Sequence, residues 1–174
     1  MTKRRRTSPK RPPAKRKADS SPSGASERHK RRRKLCVAAG AVISALMLTL
    51  SFAPFDIWPL AYVALVPWGV ALLIPARPRW ALLWATLAGA LFWAANLYWL
   101  WWITLAGYAA LVVYLTVYWL VAAMLLRGAV KRGWYAWMVL PVVWVALEYA
   151  RAYVISGFPW FFLGHSQYAQ TRLI

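Results

Sequence analysis

Acidic residues, histidines and cysteines are scarce in this sequence, and their scarcity excludes several kinds of site. Its 174 residues contain four Asp and Glu, two His and a single cysteine, Cys36. One cysteine cannot form an intrachain disulfide, and with the separated His29 and His165 it makes no metal-ligand cluster. The sequence also has no Gly-rich phosphate loop and no paired carboxylates. We therefore expect no metal and no cofactor.

Basic charge, in contrast, is abundant and concentrated at the N-terminus. Residues 1–34 hold fifteen Lys and Arg against two acidic residues, a net charge of +13. Residues 35–174 hold seven against two, a net charge of +5, and are mostly apolar. Because residues 1–34 have too few apolar side chains to offset the entropy of ordering, they are predicted to be a disordered polybasic tail before a transmembrane domain at 35–174.

The basic tail has two possible classes of partner, anionic lipid headgroups and the phosphates of nucleic acid. Its last basic run, Lys30–Lys34, adjoins the first apolar segment, where positive charge orients a helix in the membrane. We interpret the tail as cytoplasmic charge that sets the topology beside anionic lipid headgroups, and we disfavour nucleic acid as its partner.

The apolar part divides into segments of the length that crosses a bilayer as a helix, about 20 residues. We predict an all-α integral membrane protein with five transmembrane helices, near residues 35–53, 57–75, 80–103, 108–126 and 134–155. A cleaved signal peptide ending at Ala53 is disfavoured, because Pro54 would directly follow the cleavage site.

The loops between these segments carry charge in a pattern that fixes one orientation. The first loop, Pro54–Asp56, and the third, Thr104–Gly107, have no Lys or Arg. The second and fourth loops contain Arg77, Arg79, Arg127, Lys131 and Arg132. By the positive-inside rule, the N-terminus is cytoplasmic and residues after 155 are external.

Few polar residues lie in or beside the predicted spans. We expect the Asn96 amide to find a partner within the bundle. Glu148 and Arg151 are three residues apart and share a helix face, so we interpret them as a structural ion pair near the outer boundary. Asp56 is predicted to cap the second helix.

The segment 156–167 is an external aromatic loop in this scheme. Gly157 and Pro159 end the preceding helix, and the aromatic residues between the turns suit a membrane interface. We predict that the loop faces lipid or substrate through Phe158, Pro159, Trp160 and His165. His165 lies beside Ser166 but has no third group to orient it, so we assign it no acid–base role.

Three stretches together resemble the bacterial apolipoprotein N-acyltransferase family. Leu50–Pro59 resembles the family's first external loop, and Gly89–Trp102, with Asn96 in its core, looks like the third span. Pro141–Gln167, from Glu148 and Arg151 through the Gly-Phe-Pro-Trp and Gly-His-Ser-Gln motifs, is similar to the most characteristic membrane motif. The family often has Tyr at the position of His165, and its N-terminus is usually shorter.

The resemblance implies an enzyme of the bacterial inner membrane. Its acyl donor is a membrane phospholipid, its acceptor is the N-terminal cysteine of an apolipoprotein, and a nitrilase-like C-terminal domain carries a Glu-Lys-Cys triad. Residues 35–174 correspond to about the first third of such a protein, so we expect this chain to be a truncated form that is inactive alone. No catalytic residue is assigned, because Cys36 lies at the cytoplasmic end of the first span.

Two other classes of protein fit parts of the sequence. A small transporter or channel subunit predicts broken helices or charges at the membrane midplane, whereas the ionisable residues here lie near the span ends. A membrane tether with a nucleic-acid-binding tail predicts binding that weakens steeply with salt.

Overall fold

The computed structural model describes residues 24–74, 77–155 and 157–170, and within these ranges it contains helices and no strand. The α-helices are α1 (Gly24–Ser51), α2 (Leu60–Val63), α3 (Leu65–Leu73), α4 (Pro78–Asn96), α5 (Leu105–Lys131) and α6 (Ala136–Tyr153). Two short 3₁₀ helices follow α4 and α6, at Tyr98–Trp102 and Leu163–Gln167. The prediction of an all-helical fold is confirmed for the described residues.

Two of these helices are long and apolar enough to cross a membrane, the Ser26–Ser51 part of α1 and the whole of α5. The other three predicted spans correspond to α2 with α3, to α4 and to α6, which do not meet the same criterion of length and hydropathy. Membrane character is therefore carried most clearly by α1 and α5.

The first helix begins earlier than the composition predicts. Residues 24–34, which the composition assigns to the disordered tail, form the first turns of α1. Residues 1–23 lie outside the described part of the chain. The Lys30 ammonium lies 3.3 Å from the Glu27 carboxylate, one helical turn away. Lys and Arg are good helix formers, and extending an existing helix costs far less than starting one.

The third predicted span ends earlier than expected, at Asn96 instead of residue 103. The Asn96 Nδ2 donates to the Phe92 carbonyl at 2.7 Å and to the Thr49 hydroxyl at 3.1 Å. A side chain that bonds its own helix backbone competes with continuation of the helix. Asn96 thus has a partner in α1, and the chain continues as the 3₁₀ helix Tyr98–Trp102.

Helix α5 is longer than predicted at both ends. It begins at Leu105, capped by the Thr104 hydroxyl, which accepts from the Gly107 N–H at 3.2 Å. It runs to Lys131, so Arg127 and Lys131 lie in the helix and not in a loop. The Arg127 guanidinium donates to the carbonyl of Leu72 at the end of α3.

A break at Ala64 divides the second predicted span into α2 and α3. The Ser44 hydroxyl donates to the Ala64 carbonyl at 2.5 Å and accepts from the Trp68 N–H at 2.8 Å. A regular helix would join that carbonyl and that N–H directly. The Ser44 oxygen is therefore inserted into the helical ladder, a recognised cause of a helix irregularity.

Consecutive long helices run antiparallel, so basic and aromatic loop residues gather at opposite ends of the bundle. At one end, Lys34 of α1 lies over the ring of Trp80 in the first turn of α4. At the other end, the Tyr108 hydroxyl of α5 donates to the Ala94 carbonyl of α4, and the Tyr114 hydroxyl to the Val154 carbonyl after α6. We call these the basic end and the loop end.

The core holds α4 and α5 close together through small residues. A Cβ added at Gly89 would overlap the Trp119 side chain, so α4 carries no side chain at the point where Trp119 packs. The Trp119 ring also lies edge-on to Trp68 and Trp144, at centroid distances of 5.7 and 5.1 Å. This cluster supports the inner face of the loop end.

Replacing Ser44 with Ala should destabilise the bundle by about 1–3 kcal/mol, because a buried carbonyl and a buried N–H lose their shared partner. The matched control is Ser51→Ala, since Ser51 is equally buried in α1 but donates only to Leu48 within its own helix. Thermal unfolding in detergent should show a lower Tm for Ser44→Ala than for Ser51→Ala. Equal shifts would contradict the role of Ser44 in the break.

Candidate functional site

The chain turns sharply after α6 and folds back over the loop end. The Phe158 N–H donates to the Arg151 carbonyl at 2.8 Å. Gly157 has a φ of 73°, and a Cβ there would overlap the Ala152 carbonyl, so this turn requires glycine. Phe161 also has a positive φ, 57°, which is uncommon for a residue with a side chain.

Glu148 fixes the returning chain to α6. Its carboxylate accepts from the Leu163 N–H at 2.9 Å and from the Trp144 indole N–H at 3.0 Å. The first contact crosses from the helix to the start of the 3₁₀ helix Leu163–Gln167. Because this carboxylate accepts a backbone N–H of the loop, Glu148 is an attachment point between α6 and the loop.

Arg151 lies beneath the same loop and is only 4% exposed. Its guanidinium carbon is 4.8 Å from the ring centroid of Trp93 and 5.0 Å from that of Phe162. This cation–π sandwich joins α6, α4 and the loop. The Nη1 atom is buried and has no hydrogen-bond partner in the described part of the chain.

The prediction of an ion pair between Glu148 and Arg151 is wrong for the described residues. The salt bridge found among the described residues joins Lys30 and Glu27, and none lies within α6. Although the two side chains share a helix face, Glu148 binds Leu163 and Arg151 is held between Trp93 and Phe162. Each charge is thus directed to a different part of the loop.

The four residues predicted to face lipid or substrate divide into two groups. Pro159, Trp160 and His165 are exposed, with Trp160 at 53%. Phe158 instead is partly buried and lies edge-on to Trp93, with centroids 5.9 Å apart. The loop therefore presents one face to the surroundings and packs the other on α4.

Phe161 is a central residue that sequence patterns did not single out. Its ring contacts Phe52 at 5.2 Å and Trp93 at 6.0 Å between centroids. It forms part of the wall of an inner cavity of about 30 Å³, which Glu148 and Arg151 also line. In the sequence, Phe161 is one of several aromatic residues in a row, and only the tertiary fold distinguishes it from Phe162.

An outer recess of about 320 Å³ lies on the other side of Phe161. It is lined by Phe52, Ala53, Asp56, Trp160, Phe161, His165, Ser166 and Tyr168. The recess is open, and residues of both the first loop and the aromatic loop line it. Because Phe52 and Phe161 border both spaces, they form the partition between the recess and the buried Arg151.

Asp56 joins the two loops and does not cap α2 as predicted. Pro59 occupies the cap position, without a side-chain cap bond. The Asp56 carboxylate accepts from the Tyr168 hydroxyl at 3.2 Å, and the Gln167 amide donates to the Trp58 carbonyl at 3.3 Å. The negative charge of Asp56 raises the pKa of the Tyr168 phenol above its ordinary value, because a phenolate there would be repelled.

No group of three His, Cys, Asp or Glu comes together in the part of the chain that the structure describes. Cys36 is exposed and lies toward the basic end of α1, far along the helix from the aromatic loop. The groups that the loop end brings together are an exposed aromatic surface, the buried Arg151 cation and the Glu148 carboxylate that holds the loop.

The fold and this site define an apolar helical domain, with two helices able to cross a membrane and an aromatic loop fastened at one end. The family model of the apolipoprotein N-acyltransferase N-terminal domain matches residues 44–174. The chain therefore belongs to the apolipoprotein N-acyltransferase family, as the three sequence stretches had indicated.

Relatives in several bacteria agree with this assignment. The apolipoprotein N-acyltransferase of Geobacter metallireducens is 37% identical over 147 residues, which cover 77% of this chain and 28% of the relative. Those of Azotobacter vinelandii and Haemophilus influenzae are 30% identical, over 76% and 73% of this chain and 27% and 26% of their own lengths. The chain thus spans just over a quarter of the length of these relatives.

Replacing Glu148 with Ala should loosen the aromatic loop, because the Leu163 N–H would lose its acceptor. Leaving a buried N–H without an acceptor costs about 1–3 kcal/mol, so amide hydrogen exchange in residues 157–167 should accelerate about tenfold or more. Glu148→Gln keeps an acceptor oxygen and should have a smaller effect. Glu27→Ala, which removes an exposed glutamate of α1, is the control, and equal exchange in all variants would contradict the attachment.

Proposed function

We propose that this chain is the N-terminal membrane domain of an apolipoprotein N-acyltransferase. The whole enzyme would transfer an acyl chain from a membrane phospholipid to the N-terminal cysteine of an apolipoprotein. The observation that carries this proposal is the family match over residues 44–174, together with an aromatic loop that Glu148 and Arg151 hold at one end of an apolar bundle.

The proposed membrane arrangement has five spans: α1, α2 with α3, α4, α5 and α6. The antiparallel order of the helices supports it, since the basic residues then lie at one membrane surface and the aromatic loop at the other. Helix α4, with 19 residues, has a length of about 28 Å, close to the thickness of the hydrocarbon core. The positive-inside rule makes the basic end cytoplasmic and the loop end external, in the inner membrane of a bacterium.

Large apolar side chains on the outside of the bundle also favour burial in lipid. On α6, Val142, Val145 and Tyr149 are each more than 60% exposed although they lie in the middle and later turns of the helix. An apolar surface of this kind is characteristic of a membrane or protein interface. Residues 35–174 would thus form the membrane domain, and the lipid bilayer its surroundings.

In this proposal the membrane domain positions substrates, and a nitrilase-like domain on the outer face performs the acyl transfer. Both substrates are anchored in the membrane, so a surface at fixed depth restricts where their reactive groups meet. Holding reactants in a defined geometry can account for a large part of a rate acceleration. The exposed Pro159 and Trp160 would form this surface, with His165 at its edge. Alone, the chain would be inactive.

The proposal can be tested in a chimera that joins these residues to the remainder of the Geobacter metallireducens relative. The chimera should transfer an acyl chain to an apolipoprotein substrate in membranes. Trp160→Ala should lower the rate about tenfold or more, because it removes a large exposed aromatic surface, while membrane insertion stays unchanged. The measurement is the fraction of lipoprotein N-acylated with time, by mass spectrometry.

Trp137→Ala is the matched control, since Trp137 is 74% exposed in α6 but lies at the basic end. It should leave acyl transfer within about twofold of the unmodified chimera, as surface substitutions away from a site usually do. Equal rates for Trp160→Ala and the unmodified chimera would remove the aromatic loop from the mechanism. A correctly inserted chimera without any acyl transfer would count against the proposed function itself.

A further inference from the structure

The basic end of the bundle has features that the acyl transfer proposed above does not use. Helix α1 has 28 residues and is about 42 Å long, which exceeds the roughly 30 Å of a hydrocarbon core. If its C-terminal end lies at the outer surface, its first turns reach the headgroups of the opposite leaflet. The side chains of residues 26–36 are all exposed.

Lys34 is the point where this basic helix meets α4. Its ammonium lies 5.4 Å from the centroid of the Trp80 ring, a cation–π contact that fixes it beside the first turn of α4. Arg77 precedes that turn and Arg79 lies within it, and both side chains are exposed. Two separate parts of the chain therefore supply cations to this region: α1 places Lys34 on the Trp80 ring, and the start of α4 adds Arg77 and Arg79.

We call the region where Lys34 of α1 meets Trp80 of α4, with the adjacent Trp84, the Trp80 corner. The indole N–H groups of these two tryptophans lack hydrogen-bond acceptors in the part of the chain that the structure describes. Trp80 and Trp84 pack edge-on with centroids 6.0 Å apart. Their Nε1 atoms are buried, and neither has an acceptor among the described residues. A Trp N–H near a membrane surface usually finds a partner, and the aromatic belt of membrane proteins places indoles at headgroup level. Because both Nε1 atoms are buried, an anion outside the bundle would be held by the neighbouring cations and not by these N–H groups.

The charge at this end favours an anion. Of the acidic residues that the structure describes, Glu27 is the one at this end, and its carboxylate is 3.3 Å from Lys30. Asp56 and Glu148 lie at the loop end. No described carboxylate therefore competes with an anion for Lys34, Arg77 and Arg79.

We infer that Lys34, on the Trp80 ring, and Arg77 and Arg79, at the start of α4, bind the phosphate of an anionic phospholipid in the leaflet at the basic end. The site rests on the membrane arrangement proposed above. A lipid is the favoured source of phosphate because the site lies where a helix longer than the hydrocarbon core leaves the bilayer. Basic residues beside a span are attracted to anionic leaflets, and here α1 and α4 provide them jointly.

The test uses the full chain in detergent and titrates single lipids by native mass spectrometry. Phosphatidylglycerol should bind at least tenfold more tightly than phosphatidylcholine with the same acyl chains, and raised salt should reduce the difference. The triple variant Lys34→Gln/Arg77→Gln/Arg79→Gln should bind the two lipids within about twofold of each other. The single variant Lys34→Gln disturbs the chain least. It should reduce the logarithm of the affinity ratio between phosphatidylglycerol and phosphatidylcholine by about half.

The control removes the same charge from the same end without touching the Trp80 corner: Arg28→Gln/Lys131→Gln/Arg132→Gln. It should keep most of the preference for phosphatidylglycerol. Equal loss in both triple variants, or no preference in the unmodified chain, would overturn the site. So would displacement of the lipid by glycerol phosphate at equal concentration, which indicates a soluble phosphate, or by an oligonucleotide, which indicates nucleic acid.

The outcome is separable from the proposed function. The Trp80 corner lies at the opposite end of the bundle from the aromatic loop, so the triple variant placed in the chimera should still transfer acyl chains. Lost lipid preference with retained acyl transfer supports the site. Retained preference in the triple variant refutes the site and leaves the proposed function standing.

Discussion

In an apolar bundle, each backbone N–H or carbonyl that leaves a helical ladder must find a partner inside the protein, because lipid offers none. Three polar side chains meet this constraint here. Ser44 bridges the break between α2 and α3, Asn96 binds the Phe92 carbonyl where α4 ends, and Glu148 accepts from Leu163 where the chain folds back. These irregular parts of the fold therefore occur where a buried or half-buried polar side chain supports them.

Glu148 and Arg151 show how that constraint produces a site. If Glu148 and Arg151 bound only each other, neither side chain would hold the loop. Here the carboxylate holds the loop backbone and the guanidinium lies between Trp93 and Phe162, so the same two residues connect α6, α4 and the loop. The aromatic loop is thus held at its inner face while Trp160 remains exposed, as the positioning role proposed for this surface requires.

The helices were predictable from apolar runs, because a run of the right length has few alternatives to a helix. Their irregularities were not, because they depend on contacts between distant residues, such as Ser44 with Trp68 in the break at Ala64. The spacing of Glu148 and Arg151 correctly placed them on one face, but it could not show that Leu163 and Trp93 would be nearer partners. The basic charge predicted the orientation of the first helix but not where that helix begins. Helix α1 starts at Gly24 because a formed helix extends easily into neighbouring residues, and composition alone does not show this.

In the proposed arrangement, the start of α1 and the aromatic loop lie on opposite sides of a membrane. The direct measurement is labelling of single cysteines with an impermeant maleimide in intact spheroplasts, using Ser26→Cys or His165→Cys in a Cys36→Ser background. We expect position 165 to be labelled from outside and position 26 to be labelled only after the membrane is permeabilised. Labelling of both positions from the same side would contradict the proposed arrangement.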